Sequence, residues 1–132
     1  MSSRSGVRKT YLMPQLHNTS WTRSRRLCGK YGLEFTHFDT AEEFRAVSRL
    51  FEKSYLEQIV LLIGGYRKHG RWIWAETLAE ASYPLPWARD EPREGKNCMA
   101  MNTINHTYEL WSIDCEMEFG YNFFCEKFRG SR

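Results

Sequence analysis

The chain is 132 residues long, 42% hydrophobic and 15% aromatic, which supplies a core for one domain and excludes a disordered polymer. Nineteen Lys and Arg against 16 Asp and Glu leave a formal net charge of +3, too mild by itself to indicate a nucleic-acid binder. The longest apolar run, Ile59 to Ile63, falls far short of the ~20 residues that span a membrane.

Residues 1–10 read as a flexible, polar and basic tail, and no signal peptide is visible in them. Tyr11 to Leu16 suits a first strand. A helix is expected over Trp21 to Tyr31, capped by Ser20 and ended by Gly32 in a left-handed turn, with Trp21, Leu27, Cys28 and Tyr31 facing inward. A second helix is expected from Ala41 to Glu52. Thr40 and Glu43 form a T-x-x-E capping box, and Phe44, Val47, Leu50 and Phe51 recur at helical spacing toward the core. The period then changes. Ile59 to Tyr66 reads as a buried strand, Lys68-His69-Gly70 as a turn, and Arg71 to Ala75 as a second strand. Glu76 to Lys96, with Pro84, Pro86, Trp87 and Pro92, has little periodicity and is expected to be a long loop; loops of that length in small domains are usually functional. Three short strands are expected near Cys98–Asn102, Tyr108–Ile113 and Tyr121–Glu126.

The four cysteines, Cys28, Cys98, Cys115 and Cys125, include no C-x-x-C pair, which argues against a zinc knuckle or a thioredoxin-like site. An even count in a small aromatic-rich domain suggests two disulfides, with three connectivities open. Two N-glycosylation sequons, at Asn18 and Asn105, favour the same extracellular or secreted setting.

The order of these landmarks resembles the C-type lectin-like domain, in a short form, over residues 11–127, leaving 128–132 as a C-terminal tail. Trp21 followed by Cys28 is similar to the family's first helix. Leu62-Ile63-Gly64-Gly65 resembles its W-I-G-L strand, with Leu62 in place of Trp, and Trp72-Ile73-Trp74 the strand that follows. Glu91-Pro92 stands where the family has E-P-N, Trp111 before Cys115 where it has W-N-D-x-x-C, and Phe123-Phe124-Cys125-Glu126 where it has F-I-C-E. The resemblance implies an α+β fold with two helices flanking small antiparallel sheets and a long irregular loop. It also implies disulfides Cys28–Cys125 and Cys98–Cys115, and a cis Glu91–Pro92 bond.

Sugar-binding members hold a calcium ion through that loop, and calcium takes about six to eight oxygen ligands, several of them carboxylates. Here the ligand set is degenerate. Glu91 is its only retained match; Arg93 replaces the Asn, Lys96 replaces a Glu, and Ser112 and Ile113 occupy the N-D positions. Asp114 is acidic but displaced by one residue. No cofactor is therefore expected and no metal at the usual calcium-dependent sugar site.

The loop residues Trp87, Arg89, Asp90, Glu91, Pro92, Arg93 and Lys96, with Glu94 among them, are the ligand-binding candidates, since aromatic and Arg side chains suit a protein surface or a stacking glycan site. Against that, the default for Trp87 is the core and for the charges solvation. Arg23, Arg25, Arg26 and Lys30 form a basic cluster whose default is a solvated face and whose functional reading is a polyanion patch. The histidines, His17, His37, His69 and His106, are scattered without an H-E-x-x-H motif, and no G-x-S-x-G elbow or free-thiol nucleophile is present. Asp90 and Glu91 lie among cations that keep carboxylates ionised. The expectation is a binding module rather than an enzyme: extracellular ligand recognition, with carbohydrate the ligand the resemblance implies. The alternative is a calcium-independent protein-interaction module with no glycan ligand. Neither nucleic acid nor a membrane span enters, and the sequence leaves the oligomeric state open.

Overall fold

The computed structural model describes residues 8–14, 18–53, 60–118 and 122–129. The expected tail residues 1–7 and 130–132, and Leu16, His17, Ile59 and Tyr121, lie outside them. In chain order the elements are β1 (Arg8–Leu12), α1 (Trp21–Lys30), β2 (Glu34–Phe35), α2 (Ala41–Lys53), β3 (Val60–Lys68), β4 (Arg71–Trp74), β5 (Cys98–Asn102), a 3-10 turn (Ile104–His106), β6 (Glu109–Ile113), β7 (Asn122–Phe123) and β8 (Cys125–Arg129).

Both helix starts follow from their caps. The Ser20 hydroxyl accepts from the Arg23 N–H at 3.1 Å, satisfying one orphan donor of α1. Gly32, at φ 73°, ends the helix, and the Gly32 and Leu33 N–H groups return to the Gly29 and Cys28 carbonyls in a Schellman pattern. At α2 the Glu43 N–H donates to Thr40 Oγ1 (3.1 Å), while the Glu43 carboxylate reaches back to the Asp39 N–H (3.0 Å).

Two expected core residues are displaced. Tyr31 is 63% exposed because α1 stops at Lys30 and Tyr31 is already its cap, outside the helical stripe of Trp21, Ser24 and Cys28. Leu50 is 57% exposed. Phe44, Val47, Ser48 and Phe51 define the buried face of α2, and Leu50 sits roughly 110° round from its centre at ~3.6 residues per turn.

The strands form two sheets. One is antiparallel, in the order β1-β8-β2; the other runs β4-β3-β5-β6, with β7 pairing parallel to β3. Alternation along β3 and β5 buries both faces of the larger sheet. Val60, Leu62, Cys98 and Ala100 join Trp21, Phe35 and Phe123 on the α1 side. Leu61, Ile63, Met99 and Met101 join Phe38, Phe44, Val47, Phe51 and Trp74 on the α2 side. The Trp21 indole N–H donates to the Ile63 carbonyl (2.7 Å), fixing α1 to β3. Beside it a bulge shifts the β3–β5 register between Ile63 and Tyr66. There the Gly64 N–H meets the Thr36 carbonyl at 2.6 Å, and a Cβ at Gly64 would lie 2.9 Å from that oxygen.

Several sequence boundaries move. β1 begins at Arg8 and β8 runs to Arg129, so paired backbone crosses both expected domain edges, 11 and 127. The first strand ends at Leu12 rather than Leu16. β2, absent from the sequence reading, pairs Glu34 and Phe35 with Glu126 and Cys125. The last expected strand divides at Phe124, where the chain leaves β3 and joins the other sheet. The cysteines pair as Cys28–Cys125, tying α1 to β8, and Cys98–Cys115, tying β5 to the end of β6, as the resemblance implies.

Candidate functional site

Between β4 and β5 the chain makes the expected long loop, and its course is set by backbone bonds to strands on both sides. The Trp74 and Ala81 N–H groups turn its first part back along β4 by bonding the Ala79 and Trp72 carbonyls. Tyr83 donates its hydroxyl to the Phe38 carbonyl (2.8 Å), anchoring the loop near the start of α2. Residues 86–88 then run beside β6, exchanging bonds between the Pro86 carbonyl and Leu110 N–H (2.8 Å) and the Ala88 N–H and Leu110 carbonyl (3.0 Å). Asp90 and Gly95 take positive φ at the tip, and the Glu91–Pro92 bond is cis.

At that tip three residues form one closed cluster. One oxygen of the Glu91 carboxylate accepts from the Ser112 N–H (2.7 Å) and from its hydroxyl (2.5 Å). The other faces Arg93 Nε at 3.2 Å. Arg93 closes the ring: its N–H donates to Ser112 Oγ (2.7 Å) and its guanidinium to the Ser112 carbonyl (3.2 Å). Glu91 is mostly buried and Ser112 fully so, hence these charge-assisted bonds form in a partly desolvated setting where they are strong.

A second anchor holds the loop's exit. Arg67, on β3, donates from its guanidinium to the Arg93 carbonyl (2.7 Å), the Lys96 carbonyl (2.9 Å) and Asn97 Oδ1 (3.1 Å). The same guanidinium lies 5.1 Å above the Trp72 ring, and Trp72 packs on Trp87 with centroids 4.8 Å apart. Arg67 was not legible as a site residue: it follows the bulge on a strand end, where an Arg reads as solvated.

The structure therefore brings Glu91, Pro92, Arg93 and the backbone of Lys96 together, with Trp87 half-buried against the α2-side core. It leaves Arg89, Asp90 and Glu94 exposed at the tip. Ile113 is buried in the α1-side core, and Asp114 turns to the Glu116 N–H (2.9 Å), so neither meets Glu91. The expected basic cluster is divided: Arg25 donates to the Ala75 carbonyl (3.3 Å) and faces Glu76 at 3.5 Å, while Arg26 and Lys30 are exposed and Arg23 half-buried.

Away from the loop, His37 is buried, with Nδ1 3.6 Å from Glu126 and Nε2 3.7 Å from Asp39, and its backbone N–H donates to the Glu126 carboxylate (3.1 Å). Glu34, His37 and Glu126 each place one potential ligand atom within 4.8 Å of the others, the one such group of three among the described residues. His69 sits in the β3–β4 turn at φ 52°, and His106 contacts the Tyr108 hydroxyl at 2.9 Å. Burial, reinforced by Glu126, pushes the Tyr11 hydroxyl well above its ordinary range; burial, then Glu43, does the same to Tyr83. Among the described residues no helix is long and apolar enough to cross a membrane.

No family model matches the chain, and no curated protein matches it in sequence. Solved structures do. The C-type lectin domain of murine dendritic cell inhibitory receptor 2, in complex with N-glycan, aligns over 97% of this chain and 100% of its own, at TM-score 0.73 and 18% identity. Human lithostathine aligns over 95% and 90%, at 0.72 and 19%. The C-type lectin CEL-I from Cucumaria echinata aligns over 89% of each chain, at 0.71 and 16%.

Proposed function

From the C-type lectin-like fold, which these likenesses show for this chain, we propose that the protein is a non-enzymatic recognition module acting outside cells, and that it binds glycan through the long loop without calcium at Glu91. The observation that carries the reading is the Glu91–Arg93–Ser112 cluster. A calcium ion at Glu91 would have to draw the carboxylate away from three donors, and the guanidinium of Arg93 already stands beside it as a cation. Neither Ser112, whose hydroxyl is spent within the cluster, nor the buried Ile113 supplies a carboxylate in its place. Recognition then falls to the exposed Arg89 and Asp90, the outer side of Arg93, and the Trp72–Trp87 pair, through stacking and charge. The two disulfides support the extracellular setting, as does a structural neighbour bound to N-glycan for the ligand class. Asn18 and Asn105 are both exposed, as N-glycan acceptors must be.

A second reading is favoured by the same cluster: a loop that carries Arg93 and Lys96 where oxygen ligands would stand, and that retains its scaffold, is equally a protein-binding surface with no glycan ligand. Screening the oxidised domain on a glycan array, with calcium and with chelator, separates the readings. Binding unchanged by chelator is expected. Loss of binding in chelator would overturn the calcium-independent assignment, and silence in both conditions would favour the protein-binding alternative.

A further inference from the structure

α1 carries four cations, Arg23, Arg25, Arg26 and Lys30, and no acid. The helix sorts them. At ~3.6 residues per turn, Arg23, Arg26 and Lys30 fall within a sector of roughly 60° and along roughly 10 Å of axis, whereas Arg25 lies on the other side. Arg25 is engaged by Glu76 and the Ala75 carbonyl; none of the other three forms an ion pair with another described residue. Beside the helix start the Glu116 carboxylate accepts from the Thr22 hydroxyl at 2.6 Å and makes no ion pair with Arg23, Arg26 or Lys30.

Arg23, at the start of the row, also opposes the helix dipole, whereas Lys30 in the last turn accords with it. α2 opens with Glu42 and Glu43, as the partial positive charge of a helix N-terminus favours, but the first turn of α1 has no acid and contains Arg23. Arg23 and Arg26, three residues apart, and Arg26 and Lys30, four apart, repel as like charges on one helix face, and an external anion relieves the repulsion. The row is straight, with Arg26 and Lys30 exposed and Arg23 half-buried, and it suits negative charges repeated along an extended chain rather than a single anion held in a cleft.

We propose that the outer face of α1 is a second binding site, distinct in residues from the loop, for a linear sulfated polysaccharide held by Arg23, Arg26 and Lys30. The choice of sulfated chains rests on the extracellular reading above, since these are the extended polyanions of that compartment. The assignment does not depend on what the loop binds.

Immobilised heparin is the probe, with a sulfonate cation exchanger run alongside to measure charge alone. The protein is expected to elute from heparin at higher salt than from the exchanger. R23Q/R26Q/K30Q should lose that difference, and R25Q should keep it. The single variants R26Q and K30Q, at exposed positions, should each lose part of it, which guards against misfolding of the triple variant. Passage through heparin without retention, equal elution from both columns, or an R25Q loss as large as the triple variant's would each overturn the proposal. So would competition by duplex DNA as effective as that by free heparin, which would remove the sulfated-glycan assignment. A glycan array silent at the loop leaves the heparin result unchanged, so the two readings fail separately.

Discussion

The scaffold and the long loop are held by different physics. β3 and β5 are buried on both faces and clamped by Cys28–Cys125 and Cys98–Cys115, so the scaffold rests on apolar burial and covalent closure. The loop tip rests on a few polar anchors: Arg67 from below, and the Glu91–Arg93–Ser112 ring at the edge. Apolar contacts are many and interchangeable, whereas polar anchors are few and directional. The loop's shape should therefore be separable from the stability of the fold.

The largest test of that separation is covalent. Replacing Cys28 and Cys125 by Ser opens a closure spanning 97 residues and should cost about 5 kcal/mol in the chain-entropy model, against about 3 kcal/mol for Cys98 and Cys115 across 17, both read from denaturant midpoints. Equal costs would mean that strain or residual structure outweighs loop closure.

Alkali should act on both regions at once. Tyr11 and Tyr83 have hydroxyls raised above the usual 10.0 mainly by burial, so the folded protein holds these protons more tightly than the unfolded chain. Their contribution is fully present below pH 10.0 and is lost as pH rises beyond it. Thermal melts should fall above that pH, and Y83F should reduce the fall. An unchanged melting temperature between pH 9 and about pH 11 would count against burial as the cause.

Gly64→Ala probes the scaffold alone. Its Cβ would stand 2.9 Å from the Thr36 carbonyl and 3.1 Å from that of Phe35, both backbone atoms that cannot rotate aside. A loss of about 1–3 kcal/mol is expected, with the tip's hydrogen exchange altered no more than the rest.

Arg67→Ala probes the loop alone. Losing three side-chain donors should raise amide exchange over residues 91–97 by about tenfold, with a smaller change in global unfolding free energy. A global loss matching the local one would show that tip and scaffold unfold together.

What was legible in the sequence follows the same division. Ser20, Thr40 and Glu43 announced both helices because caps are local chemistry, and the landmarks around Cys28, Cys98, Cys115 and Cys125 carried the fold. Tyr31 and Leu50 were misplaced because apolar character does not reveal where a helix ends or where its buried face is centred. β2 and the break at Phe124 escaped because two-residue strands have no period to read. At the site, Glu91 and Arg93 were visible as residues. Their closure on Ser112 and the reach of Arg67 were not, since both depend on strands meeting across more than 18 positions of chain.

The pairing of β1 with β8 has a mechanical consequence. Arg8 lies opposite Arg129, and the ladder ends with Leu12 opposite Cys125. Tension applied through Arg8 and Arg129 would pull this ladder apart rung by rung, like a zip. From Cys28 the load passes through sulfur to Cys125, so residues 29–124, which include both the loop and its anchors, lie off the force path. A stretched molecule would shed its outer strands and still present the loop intact.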